Sequence, residues 1–169
     1  MLGVEVGAMF QAPDDGQAVW FTTNRITVKA TAEQTGGAFG LWEAVAAPGS
    51  SPPMHIHHAQ DESFYVLEGA ITVFCGEQTI TGGPGSFVFL PRGVPHTFVV
   101  EGDQPARFIG LSTPGGAEGY FLAVGTEPET DGLPPQRPLD IPLLQRWAEP
   151  FGMEIVGPPK PPTGASAGV

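Results

Sequence analysis

Gly49-Ser-Ser-Pro-Pro-Met-His55-Ile-His57-His58-Ala-Gln-Asp-Glu62-Ser-Phe-Tyr-Val-Leu-Glu-Gly69 is the stretch on which the fold turns. It carries three of the chain's 4 histidines. The fourth stands in Gly85-Ser-Phe-Val-Phe-Leu-Pro91-Arg92-Gly93-Val-Pro-His96. His55 and His57 are two apart, so on a strand they share one face and His58 takes the other. Glu62 follows His57 at an odd offset. On one straight strand it would point away from the pair, so the residues from His58 to Asp61 must bend and Glu62 must enter from the next strand. Pro52-Pro53 stiffens the approach and keeps the start of the histidine strand free of ladder donors. Gly69 suits a hairpin that needs positive φ. Pro91-Arg92-Gly93 suits a turn in which Gly93 takes the left-handed conformation. His96 then opens a strand whose same-face neighbours are Phe98 and Val100. If the sheet rolls up, His96 faces His55, His57 and Glu62.

Outward from this stretch the chain reads as an all-β fold. Short apolar runs at Ala18–Phe21, Ile26–Ala30, Phe39–Val45, Ser63–Leu67, Ile71–Cys75, Ser86–Leu90, Thr97–Val100 and Ala106–Leu111 are each bounded by turn-forming residues. Phe39, Leu41, Glu43 and Val45 share one face of their strand. Phe87-Val-Phe-Leu90 has no polar alternation, which predicts a strand covered on both faces. The 24 glycines and 19 prolines punctuate a sandwich or barrel rather than long helices. After Gly125 the character changes. Thr126–Pro138 reads as irregular, and Asp140–Glu149 as one short helix capped by Asp140, with Pro142 in its first turn. Met153–Val156 reads as a last strand. The expected organisation is an N-terminal arm at 1–18, a barrel at 19–125, a C-terminal extension with the short helix packing on the barrel at 126–157, and a flexible Pro/Gly/Ala/Ser tail at 158–169. No internal repeat is evident.

The bulk composition narrows the partners. The 169 residues suit one domain, and 41% hydrophobic residues suffice for a core. A net charge of −11 would repel a phosphate backbone and an anionic lipid surface, so neither nucleic acid nor membrane is expected as a partner. No apolar run reaches transmembrane length. The N-terminus has no basic, apolar leader, so no signal peptide is expected. The single cysteine, Cys75, allows no internal disulfide, which fits a reducing cytoplasm. Gly82-Gly-Pro-Gly85 is a turn and not a phosphate loop, because no Gly-Lys-Ser/Thr follows.

Histidine is the commonest protein ligand for transition metals. On residue types alone, two readings stand for His55, His57 and His96. They are donors to one metal, or they are separate half-buried histidines with their own partners. Asp61 competes with Glu62 for the carboxylate position, and the spacing favours Glu62. His58 is expected outside the donor set. An apolar pocket wall would come from Phe64, Val66, Phe89, Phe98 and Leu41. Glu43 is either a pocket acid or a strand-end carboxylate.

The two histidine stretches resemble the paired motifs of the cupin superfamily, G-x5-H-x-H-x4-E-x6-G and G-x5-P-x-G-x2-H, with every fixed position present over about residues 20–125. An asparagine that the family places after the last histidine is Val100 here, which implies a more apolar wall. The resemblance implies a double-stranded β-helix, a jelly-roll-like cupin barrel. It also implies one divalent transition metal (Fe, Mn, Ni, Co, Cu or Zn) held by His55, His57, Glu62 and His96. Two later stretches, Thr113–Leu122 and 125–134, are similar to single-barrel proteins related to quercetin 2,3-dioxygenases. That likeness implies a dioxygenase acting on an aromatic or enolic small molecule, with Glu62 as catalytic base. The same motif pattern also occurs in isomerases, cyclases and decarboxylases, and in binders without turnover. Single-barrel cupins commonly pair as homodimers, so a homodimer is expected.

Overall fold

The computed structural model describes residues 7–164. Along the chain lie β1 (Gln17–Phe21), β2 (Asn24–Ala30), β3 (Gly40–Ala46), β4 (Met54–His57), β5 (Asp61–Glu68), β6 (Ile71–Cys75), β7 (Gln78–Gly82), β8 (Phe87–Leu90), β9 (His96–Val100), β10 (Ala106–Thr113), α1 (Glu118–Val124), α2 (Ile141–Ala148) and β11 (Met153–Gly157). A six-stranded sheet runs β1-β2-β3-β10-β5-β8, and a five-stranded sheet runs β11-β4-β9-β6-β7. Every pairing is antiparallel. One apolar core draws on both sheets. This is the all-β, double-stranded β-helix architecture that the sequence pattern and resemblance implied.

Strands alternate inward and outward residues because successive side chains leave opposite faces. In β2 and β3 the alternation is unbroken, with Ile26, Val28, Trp42, Ala44 and Ala46 buried. Trp42 packs against Gly110 of β10, where a side chain would overlap the indole. Its edge meets Phe121 of α1 at a centroid distance of 5.1 Å. Phe64, Phe98 and Phe108 form an edge-to-face triangle with centroids 5.1–5.7 Å apart, the arrangement their quadrupoles favour. Gly69 and Gly93 both take positive φ, +73° and +77°, as their turns require.

Four expectations change. The inward face of β3 is Gly40-Trp42-Ala44-Ala46, not Leu41-Glu43-Val45, because the indole is the larger apolar group and the small residues beside it make room. Glu43 consequently lies outside, paired with Arg107 at 2.9 Å. The strand covered on both faces is β9, all five residues of which are buried. β8 is an edge strand on which Phe87 and Phe89 are 65% and 55% exposed. The tail segment is tied down as far as it is described. Lys160 N donates to Ser51 Oγ, and Thr163 and Gly164 donate to the Glu101 carboxylate. Residues 1–6 of the expected arm and 165–169 of the expected tail lie outside the described residues.

The sequence reading omitted β7 and α1. β7 pairs with β6 around Gly76, and its exposed Gln78, Thr79 and Ile80 lack an apolar run. Asp140 caps α2 by accepting from Leu143 N at 3.0 Å. β11 pairs with β4, so the C-terminal segment completes the sheet that holds His55 and His57. Among the described residues no helix is long and apolar enough to cross a membrane.

Candidate metal centre

His55 and His57 lie on β4, Glu62 on β5 and His96 on β9. β4 and β5 belong to different sheets, so the bend after His57 carries the chain across the barrel and turns Glu62 back toward the histidines. His55 is paired directly with His96, the one register pair joining β4 to β9. Potential ligand atoms of His55, His57, Glu62 and His96 all lie within 4.8 Å of one another. His96 Nε2 is 3.3 Å from Glu62 Oε2, and His57 Nε2 is 3.9 Å from Glu62 Oε1. The His57 and His96 rings are parallel within 5° at 5.4 Å, with His55 edge-on to both.

Two tautomers follow from the hydrogen bonds. His55 Nδ1 is 2.7 Å from the Pro53 carbonyl, and His96 Nδ1 is 2.9 Å from the Val94 carbonyl. A carbonyl only accepts, so each Nδ1 carries the hydrogen and each Nε2 is left with its lone pair. His96 Nε2 is buried and makes no hydrogen bond. Three imidazole nitrogens and one carboxylate, one of them orphaned, fit a borderline divalent transition ion. The cluster could hold a metal ion.

Electrostatics keep most of the four groups in the protonation state that metal binding would need. Burial, then the neighbouring His96 and His57, push the pKa of His55 down to about 3. Burial also lowers that of His57, against the pull of Glu62. Burial opposes ionisation of Glu62, but contact with His96 and the nearby imidazoles outweighs it and holds the carboxyl at about 2. For His96, burial is overcome by the facing Glu62 carboxylate, and the pKa rises.

The cluster opens on a cavity of about 80 Å³ with an otherwise mostly apolar wall. Phe64 and Phe98 are on its wall. Val66 and Val100 are fully buried in the core but do not reach it. Leu41 and Phe89 point out of the barrel, because each stands one residue out of phase with the inward face of its strand. Sequence reasoning missed Phe21, Trp42, Phe108, Tyr120 and Phe121 on the wall. The alternation of Trp42 with Gly40 and Ala44 was the available signal. It also missed Leu144, Ala148, Met153 and Ile155 of the C-terminal segment. Met153 and Ile155 carry no local signal, since the pairing of β11 with β4 brings them to the wall, and Leu144 and Ala148 are the buried residues of α2.

The other candidates are accounted for outside the cluster. Asp61 accepts from the Arg92 backbone and guanidinium at 2.8–3.1 Å, and this Arg92 contact draws its pKa down to about 2. His58 is exposed and sits 3.0 Å from Glu154.

Comparison with known proteins agrees with this architecture. Residues 42–112 match the family model described as a cupin domain. Quercetin 2,3-dioxygenase of Bacillus subtilis is 28% identical over 98 residues, which span 58% of this chain and 29% of that protein. The chain thus spans less than a third of that relative's length. Among solved structures, KdgF from Halomonas sp. superposes with a TM-score of 0.57 at 17% identity, over 64% of this chain and 94% of the other. The polyketide cyclase RemF from Streptomyces resistomycificus superposes with a TM-score of 0.54 at 26% identity, over 63% and 80%. The paired motifs and the histidine–glutamate cluster fall within the matched stretch, and residues 42–112 are a cupin domain.

Proposed function

We propose that this cupin is a metal-dependent enzyme acting on a small aromatic or enolic molecule, with dioxygenase chemistry of the quercetinase kind as the first reading. One observation carries it: His55, His57, Glu62 and His96 converge at the wall of a buried, largely apolar cavity. In this reading the four residues hold one divalent ion, which supplies Lewis-acid polarisation and a route to dioxygen. Glu62 is ionised at neutral pH, as a base must be, and takes the proton of a substrate hydroxyl presented beside it. The aromatic wall of Phe64, Phe98 and Phe108 stacks the substrate and excludes water.

Size constrains the substrate. An apolar cavity of about 150 Å³ holds benzene, and the cavity here is about 80 Å³. A flavonol therefore enters only if the side chains of Leu144, Met153 and Ile155 move aside. The test adds flavonol to protein reconstituted with each first-row divalent metal and follows oxygen uptake. Uptake that requires metal is the expected result, and none with any metal rejects the dioxygenase. The 26% likeness to a polyketide cyclase favours a second reading, proton transfer and ring closure without oxygen. Turnover under strict anaerobiosis would select it.

We also propose that two copies pair through the outer face of β5 and β8. Support comes from Tyr65, Phe87 and Phe89, which are 46–65% exposed on one sheet face. Tyr65 stands opposite Phe87 across the ladder, at the unpaired edge of the sheet. Sedimentation equilibrium should give twice the chain mass for the wild type and a monomer for Phe87→Glu/Phe89→Glu. A monomeric wild type rejects the pairing. The single thiol, Cys75, suits a reducing cytoplasm.

A further inference from the structure

His55 and His96 are oriented by the same local device. In each, Nδ1–H is held by the backbone carbonyl two residues upstream, Pro53 or Val94. His57 has no such anchor. Its Nδ1 is buried and makes no hydrogen bond. Among the described residues only two other buried side-chain polar atoms are in that state, His96 Nε2, which faces the cluster, and Gln60 Oε1.

Gln60 is placed to complete the set. It stands three residues beyond His57, across the bend that leads to Glu62, and it is 7% exposed. Its amide is housed between two glycines, both at positive φ. A side chain at Gly116 would come within 3.3 Å of Gln60 Nε2, and one at Gly152 within 3.8 Å of Gln60 Oε1. Gly152 directly precedes Met153, the residue of β11 that stands opposite His57, so the amide oxygen sits at the end of the ladder that carries His57, where both atoms are buried and without a hydrogen bond. One orphan is a ring nitrogen that can donate, and the other is a carbonyl oxygen that accepts. A buried polar atom left without a partner is destabilising, so each is expected to find one.

We infer that Gln60 is a positioning residue: its side-chain oxygen accepts the Nδ1–H of His57, fixing the tautomer that leaves Nε2 free to ligate. The inference rests on the proposed metal site for its consequence, but the tautomer itself needs no metal. A histidine ligand whose other ring nitrogen is held by an acceptor gains both orientation and basicity.

Two measurements test it. Long-range ¹H–¹⁵N spectra of metal-free protein at neutral pH should show His57 with its hydrogen on Nδ1. Gln60→Leu should shift it to a mixture of tautomers, and Gln60→Glu, which retains an acceptor, should restore it. Titration with Zn²⁺ or Mn²⁺ should then show affinity lowered about 10–100-fold in Gln60→Leu and recovered in Gln60→Glu. Leucine keeps the volume of the site, so a role in packing alone would leave tautomer and affinity unchanged in Gln60→Leu, and that result overturns the inference. Absence of metal binding in every form would reject the metal reading while the tautomer still decides the role of Gln60.

Discussion

His57→Ala protein, reconstituted with a divalent metal and desalted, should retain only a trace of it, whereas His58→Ala should retain as much as the wild type. The two histidines are adjacent in the chain and have the same chemistry, so composition and local charge do not separate them. Strand geometry does. His57 is 3% exposed and its Nε2 faces Glu62 inside the barrel. His58 leaves the opposite side of the backbone and pairs with Glu154 among exposed groups, an interaction of the size of other surface pairs, roughly 0–1 kcal/mol. Removing a donor that binds the metal directly should weaken affinity by more than the roughly 10–100-fold lost with an outer partner. Elemental mass spectrometry reads the metal-to-chain ratio, and circular dichroism checks that both variants fold. Equal metal content in the two variants would refute the assignment of the cluster.

Acidification supplies the second large effect. Metal-free protein should lose stability steadily as pH falls from about 6.5 toward 3. In the folded chain burial, then His96 and His57, hold the His55 pKa at about 3, against an ordinary 6.5. Between those values the unfolded chain binds a proton that the folded chain refuses, so acid favours unfolding, with a slope of up to about 1.4 kcal/mol per pH unit for each such group. His57 is shifted in the same direction and adds to it. His96 opposes them. Its pKa is raised, so its pairing with Glu62 contributes fully below the unfolded pKa and is lost as pH rises through the folded one. Glu62, held at about 2, contributes above its ordinary 4.5 and loses that contribution as pH falls toward 2. Two histidines against one, with Glu62 beside them, leave a net loss of stability across the window. Urea midpoints at pH 7.5, 5.5 and 4 measure it, and His55→Gln should flatten the profile. Midpoints that do not change with pH would show that these imidazoles are not buried neutral. Bound metal should be released over the same descent, beginning with protonation of His96, the imidazole whose pKa is raised, because a protonated imidazole does not ligate.

Much of the barrel was legible because its strands are short, apolar and bounded by turn residues. Ile71–Cys75 was read to the residue, since Gly69 and Gly76 close it on both sides. The side on which each strand faces was less legible. Phe39-Gly-Leu-Trp-Glu-Ala-Val45 is apolar at both parities, and a shift of one residue exchanges Leu41 for Trp42 at the inner wall. The same ambiguity hid the exposure of Phe87 and Phe89, because an apolar run looks alike on a covered strand and on an edge that awaits a partner. β7 and α1 were missed because neither carries a strong apolar period of its own, β7 being mostly exposed and α1 spanning only 7 residues.

The amino-acid sequence by itself marked the four residues that meet in the cluster. Spacing places His55 and His57 on one face and His58 on the other, and the odd step to Glu62 demands a bend. These are consequences of a two-residue repeat, which acts over a few residues and needs no distant contact. Tertiary structure decided what surrounds the donors. It chose Trp42 over Leu41, lined the cavity with Leu144, Met153 and Ile155 from far downstream in the chain, and left Gln60 Oε1 buried without a hydrogen bond. Those outcomes depend on which strands pair and on how much volume each side chain finds available, and neither quantity is carried by local sequence.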